Sequence, residues 1–436
     1  MSAATQPPAA PPSHRGSGWR TAAWVLYDLA NTVYAATLTF LFTPYATREL
    51  GEKSSLGRVQ FASMVLAALL VPVLGALVDH TARTRRYLTI ATLLCIAAMA
   101  GFGLGLGHAW MLGCFFLANV TYNLGLLFYN ALLPAVASDD HAGRVSGLGV
   151  GIGYFGTILV LATLLPRQQE LPPATLFQLA AGMFLVFALP CLLWVRDPRP
   201  PRQGTPGQAV GAAFRSLGAT LRDLPRHRAL CWFLVANFCL VDVLNTAVLF
   251  FADFTTDTFA IAAEQGTLVL FGHSFAGSSG LLDFLGYMGL ALNGLALVYG
   301  LSIGRWTDRA PLAVLRTSAA ALLLALCGGA WFGGHSALGY LLTLVALGAF
   351  GLTGIWTAGR KVIVLLAPKE RIGEYFGLYG ITVKLSVFGG VIYGEIATHR
   401  GAKPAMLAQG VQLLVGLACL AMVRLPKPTP LGGPHG

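Results

Sequence analysis

Long apolar blocks alternate with short polar stretches from residue 20 to residue 424. Twelve blocks are readable, over 20–44, 59–78, 88–107, 110–135, 146–165 and 175–195, then 229–252, 282–303, 313–332, 337–359, 374–394 and 405–424. Each has about the 20 residues a helix needs to cross the hydrocarbon part of a bilayer. A polar stretch, 196–228, separates the first six from the last six. The pattern predicts an all-α membrane protein of twelve transmembrane helices in two six-helix bundles, 19–195 and 229–425. The Pro- and Ala-rich residues 1–18 are expected to form a disordered cytosolic tail, 196–228 a cytosolic linker and 426–436 a second tail. The first of these holds no apolar core like that of a cleavable signal peptide. The connection 253–281 is expected to hold a short interfacial helix or folded loop around Thr267–His273. Glu264 and His273 leave too short an apolar run there for a thirteenth span.

Composition agrees with this reading. Of 436 residues, 56% are apolar and 11% charged, too few charges to cover a soluble protein of this size. A soluble enzyme and a disordered chain are excluded. The net charge of +11 would point to nucleic acid in a soluble protein, but its distribution points elsewhere. With both termini on the cytosolic side, that side carries 22 of the 29 Lys and Arg, four of them at 360–371. The opposite side carries six, and Lys384 alone lies inside a span. Such asymmetry fixes orientation in the membrane and explains the basic balance without a nucleic-acid partner. Arg outnumbers Lys 23 to 6, and Ala and Gly are abundant. That usage leans toward a GC-rich bacterium and its inner (plasma) membrane.

The seven cysteines lie in apolar runs and form no CxxC pair, so they read as buried hydrophobes. The nine histidines sit near span ends or in loops, without metal-ligand spacing. There is no GxxxxGK[ST] loop, so ATP is not the expected driving force. The expected cofactor is none and the expected state a monomer.

An internal repeat organises the chain. Gly75-Ala-Leu-Val-Asp79-His80 ends the second span and Gly304-Arg-Trp-Thr-Asp308-Arg309 the eighth, at an offset of 229. Gly143-Arg-Val-Ser-Gly147-Leu148 opens the fifth span and Gly373-Glu-Tyr-Phe-Gly377-Leu378 the eleventh, at an offset of 230. Asp28-Leu-Ala-Asn31-Thr32 and Asp242-Val-Leu-Asn245-Thr246 match at 214, and the longer connection after the seventh span accounts for the difference. Six spans per half is an even number, so the halves are parallel and related by an axis along the membrane normal.

On these residues the chain resembles the major facilitator superfamily. The fuller loop motif is Gly75…Asp79-His80…Arg83, with Ala82 where the family prefers glycine and His80 where it prefers a strong base. Within the superfamily the chain is similar to the autophagy-related vacuolar amino-acid effluxers and their bacterial relatives. Tyr27-Asp28-Leu-Ala-Asn31-Thr32, Asn130-Ala-Leu-Leu-Pro134…Gly143-Arg144-Val-Ser-Gly147 and Glu374-Tyr-Phe-Gly377-Leu-Tyr379-Gly380…Lys384 carry that likeness. The fifth span has no Gly-Pro antiporter motif and the fourth no arginine, which weakens a multidrug-antiporter reading. The resemblance implies the major facilitator fold, first and seventh spans facing each other across a central cavity, and efflux of amino acids.

Asp28, Asn31 and Thr32 share one helix face, as do Asp242, Asn245 and Thr246. A charge at mid-membrane costs at least about 2.5 kcal/mol, so these faces line a cavity or meet a partner. A polar packing seam is the competing reading. Lys384 lies near the midplane and either pairs with Asp28 or Asp242 or holds an anionic group of the substrate. Asn119, Tyr122, Asn123, Tyr129 and Asn130 in the fourth span are candidates to hydrogen-bond a solute or to join helices. Thr353, Trp356 and Arg360 follow helical spacing in the tenth, with Trp356 as a cavity wall or plain packing. Glu395 and Asp283 read as solvated. Asp79, Arg83, Asp308 and Arg309 read as gate residues at the cytosolic helix ends.

The substrate site is therefore expected at Asp28, Asn31, Asn119, Tyr122, Asn123, Asp242, Asn245, Trp356 and Lys384. Asp28 and Asp242 are the proton-coupling candidates, and Asp28, Asp242 and Lys384 are expected to form one coupled set. The function expected is alternating-access transport of a small polar solute, with protons as the coupling ion and the lipid bilayer as surroundings. The rivals are an exporter of another small molecule such as a drug or metal chelate, a membrane-embedded enzyme, and a sensing receptor.

Overall fold

The computed structural model describes residues 18–425, apart from 51–53, 169, 369–370, 387 and most of 198–223. The tails, and most of the linker, lie outside the described residues. Twelve helical spans follow in order. In the first half they are α1 (Gly18–Phe42), α2 (Ser54–Thr81), α3 (Thr84–Ala100), α4 (His108–Ala131), α5 (Ala142–Thr163) and α6 (Pro173–Trp194). In the second they are α7 (Arg228–Leu249), α8 (Gly277–Arg309), α9 (Pro311–Phe332), α10 (Ala337–Leu366), α11, in two pieces (Ile372–Leu385 and Phe388–Arg400), and α12 (Ala402–Met422). At 17 residues α3 is the shortest, about 25 Å at 1.5 Å per residue.

These segments are apolar toward lipid and carry their few polar side chains buried toward neighbouring helices. Val391, Val411, Leu290 and Val298 lie on the exposed surface, where hydrocarbon tails suit them. Tyr27, Tyr34, Phe42 and Phe184 pack inside the first half, and Phe233, Phe254, Tyr340 and Tyr393 inside the second. A π-helical stretch widens α1 over Thr37–Phe42 and α10 over Leu341–Leu347.

Two expectations change, and the expected folded connection after α7 takes a definite form. The tenth span does not end at residue 359: its helix runs to Leu366, so Arg360 and Lys361 are buried helix residues and not loop charges. The eleventh span is broken. Ser386 leaves helical geometry (φ −74°, ψ 68°), and a new helix starts at Phe388. The connection after α7 holds a helix, Phe251–Glu264, and a two-stranded hairpin, Val269–Leu270 with His273–Ser274. With 33 residues, α8 is about 50 Å long, against a hydrocarbon core of about 30 Å, so it projects beyond it.

The halves meet through α2 with α11, α5 with α8 and α10, and α4 with α11. The contacts of α2 with α11 and α5 with α8 lie at the end carrying the Lys- and Arg-rich loops. Glycines make the approach possible. A Cβ on Gly151 would stand 3.0 Å from the Gly300 backbone, and one on Gly147 2.9 Å from the Gly300 carbonyl oxygen. Small residues let backbones touch in this way where lipid supplies no hydrophobic drive.

Candidate functional site

α1 brings Asp28 to the middle of the molecule, and α10 brings Arg360 to meet it. Arg360 Nη1 donates to Asp28 Oδ2 at 2.8 Å, and Nη2 to Oδ1 at 3.4 Å. Both side chains are more than nine-tenths buried. The guanidinium lies 5.8 Å from the Trp24 ring centroid and 5.6 Å from that of Tyr129. Those rings stack on each other at 4.3 Å, and Trp24 Nε1 donates to the Tyr129 carbonyl. Room for the pair comes from Gly149, where a Cβ would stand 2.9 Å from Asp28 Oδ2 and 3.0 Å from Trp24. One charge pair therefore joins the two halves, walled by aromatic rings.

Lys384, on the first piece of α11, is buried and donates to Asn123 Oδ1 of α4. Asn123 Nδ2 donates to the Asn119 carbonyl at 2.6 Å, and Asn119 Nδ2 to Ser63 Oγ at 2.6 Å and Gln60 Oε1 at 3.1 Å. Asn119 is thus part of a seam between α2 and α4, which ends on Lys384. Tyr122 stacks on Tyr34 at 4.2 Å. Trp356 is half-buried against the apolar core. Asn31 and Thr357 Oγ1, three residues from Asp28 and Arg360 along their helices, and Tyr129 Oη and Tyr379 Oη, on rings near the pair in space, are buried without a hydrogen-bond partner among the described residues. Tyr379 Oη lies 3.1 Å from where Gly359 would carry a Cβ, next to Arg360.

The coupled set of Asp28, Asp242 and Lys384 is not what the structure holds. Asp28 takes Arg360, Lys384 takes a neutral amide, and Asp242 stands apart at the break in α11. Asp242 Oδ2 accepts from Gly389 N at 2.8 Å and from Gln412 Nε2 at 2.7 Å. Asn245 Nδ2 donates to the Ser386 carbonyl at 3.3 Å, closing the first piece of α11. Thr32 joins α1 to the Gly153 carbonyl of α5. Arg360 is the residue underrated by sequence reasoning, which ended the span at the first charge. Its spacing from Thr353 and Trp356 was the available signal. At the offset relating the halves, position 130 is Asn, so the first half has no arginine to match.

The repeated loop motifs pair crosswise. Asp79 of α2 accepts from Gly373 N at 3.0 Å and Glu374 N at 2.8 Å, holding the start of α11. Asp308 of α8 accepts from Gly143 N at 2.7 Å and Arg144 N at 3.1 Å, holding the start of α5. A carboxylate there satisfies orphan N–H groups and meets the positive helix end. Lys361 Nζ, also buried, stands 3.5 Å from Asp308. Arg371 pairs with buried Glu374 at 2.8 Å. Arg83 and Arg309 are exposed. Ala82, at the place of the motif's glycine, has φ 48°, a left-handed backbone that costs an alanine about 1 kcal/mol. Glu395 and Asp283 are exposed, with Glu395 beside His399.

Among solved structures the fold matches FucP, a major facilitator superfamily transporter in its outward conformation, with TM-score 0.69 and 12% identity over 94% of this chain and 98% of that one. It also matches the human organic anion transporter MFSD10, with TM-score 0.67 and 15% identity over 94% and 100%. Twelve helices in two halves with this likeness define a multi-pass membrane protein of the major facilitator fold. The model of the family described as "Vacuole effluxer Atg22 like" matches residues 59–430, and the chain belongs to that family of transporters. The MFS-type transporter YxiO of Bacillus subtilis (strain 168) is 25% identical over 92% of this chain and 94% of its own length. Autophagy-related protein 22-1 of Aspergillus niger is 27% identical over 65% of this chain, a match that spans 47% of the fungal protein.

Proposed function

We propose that the chain is a secondary transporter that exports a small zwitterion, an amino acid or a close analogue, by rocking its halves about the Asp28–Arg360 pair. The observation that carries this reading is the charge balance at the centre. Asp28 faces Arg360, while Lys384 has, among the described residues, neutral Asn123 as its side-chain partner. One negative charge is missing, and a solute carboxylate would supply it. The Asn31, Tyr129, Thr357 and Tyr379 groups, unpartnered among the described residues, offer hydrogen bonds to the rest of such a solute. A proton is the proposed coupling ion. On Asp28 it would release the guanidinium, whose planar fork matches a carboxylate.

With the basic loops in the cytosol, the interhalf contacts close the cytosolic face, so the arrangement is an outward-facing or occluded one. Asp79 and Asp308 act as the gate, because their helix-start contacts cross between halves and must break when that face opens. Reporter fusions after Gly334 and after Gly436 are expected on opposite sides of the membrane. The same side for both would overturn the orientation.

The transport test is uptake of labelled amino acids, and of their carboxamides, into proteoliposomes with an imposed pH gradient. The wild type is expected to prefer the acid to the amide. Lys384→Ala is expected to raise KM for the acid by about 10- to 100-fold, the worth of a charged hydrogen bond, with little change for the amide. Equal transport of acid and amide by the wild type would remove the carboxylate reading. Indifference to the pH gradient would remove the proton.

A further inference from the structure

The break in α11 creates a second polar centre, wholly within the second half and separate from the charge pair. Asp242 is fully buried, yet no Lys or Arg among the described residues pairs with it. Its hydrogen bonds from Gly389 N and Gln412 Nε2 fall on Oδ2, Phe388 N also faces the carboxylate, and Oδ1 makes no hydrogen bond of ordinary geometry among the described residues. The start of the second piece of α11 and the Gln412 amide offset part of this carboxylate's charge and leave the rest without a cation.

Other oxygens converge beside it. A Cβ on Gly389 would meet Thr246 Oγ1 at 2.5 Å, Gln409 Oε1 at 2.8 Å and Asp242 Oδ2 at 3.1 Å. Gln409 is 1% exposed, its Nε2 donates to the Gly389 carbonyl at 3.1 Å, and its Oε1 has no hydrogen-bond partner among the described residues. That bond sets the amide so that its oxygen faces the space beside Gly389. Absence of a side chain at 389 is what lets these oxygens gather so close to the second helix start of α11. Broken helices inside a membrane are tolerated where they line a site, and such sites hold ions on oxygen ligands.

We infer that Asp242, Thr246 and Gln409, gathered around Gly389 at the break in α11, bind a monovalent alkali cation. One carboxylate with neutral oxygens balances a single positive charge, whereas a divalent ion calls for more carboxylate ligands. Binding would neutralise Asp242 and tie α7, α11 and α12 together across the break.

The test is thermal unfolding of the purified full chain, titrated with NaCl, KCl or LiCl against N-methyl-D-glucamine chloride at equal ionic strength and constant pH, without solute. The wild type is expected to gain a saturable rise in Tm from at least one alkali cation, and the three salts identify which. Asp242→Asn should abolish the rise. Gly389→Ala, which keeps every oxygen but whose methyl would push Thr246 Oγ1 and Gln409 Oε1 apart, should abolish it too and serves if Asp242→Asn does not fold. Gln409→Leu should weaken apparent affinity by about tenfold or more. Asp28→Asn should leave the cation response in place, so failure of the central-pair reading is read separately. No alkali-specific rise in the wild type would overturn the inference. So would a rise that survives both Asp242→Asn and Gly389→Ala, or stabilisation that comes from acidification alone.

Discussion

Arg360→Gln is expected to cost about 3–5 kcal/mol in stability and to abolish transport, because it strands Asp28 as an unpaired buried charge. Asp28 and Arg360 come from helices in opposite halves, so the pair is both a tertiary tie and the centre of the proposed site. Desolvating two charges offsets much of their attraction. Removing both is therefore milder than removing one. The double variant Asp28→Asn/Arg360→Gln should regain most of the lost Tm and none of the transport. Chemical unfolding and proteoliposome uptake on the two single variants and the double check this. A double variant no more stable than Arg360→Gln would mean that the guanidinium acts mainly through Trp24 and Tyr129, whose rings it faces.

The double variant Asp79→Asn/Asp308→Asn should open the face that carries the basic loops. Each carboxylate accepts two backbone N–H groups of a helix start in the other half. Losing the charge at both places should cost the closed arrangement about 3 kcal/mol, a little over a hundredfold in the equilibrium. Spin labels on Asp140→Cys and Arg309→Cys, exposed and in opposite halves, report the change as a longer distance. Solute affinity should move much less, because both carboxylates hold helix starts and neither contacts Asp28 or Arg360, although Asp308 also meets Lys361. An unchanged distance distribution, with the protein folded, would leave Asp79 and Asp308 as fixed caps and not a gate.

The apolar blocks are long because backbone N–H and C=O groups in hydrocarbon must pair within one helix, and that requirement is written locally. The twelve spans and the two-fold repeat were legible in the sequence for that reason. Asp79 and Asp308 stood out through the same repeat, though not which helix start each one holds. The partner of Asp28 lies 332 residues along the chain, and no local pattern joins them. A charge next to a span boundary reads as a loop residue, which is why Arg360 and Lys361 were assigned to the cytosolic side although α10 carries them on, buried, to Leu366.

Asp28 and Asp242 share one sequence pattern and were given one role. Tertiary structure divides them, because Arg360 reaches Asp28 while the broken α11 places its second helix start against Asp242. Local sequence determined the spans, their order and their pairing into halves, since each depends on a short run of residues and its contact with lipid. Which buried charges meet was decided only by how the two halves pack, since cancelling a charge inside a membrane depends on its neighbours in space.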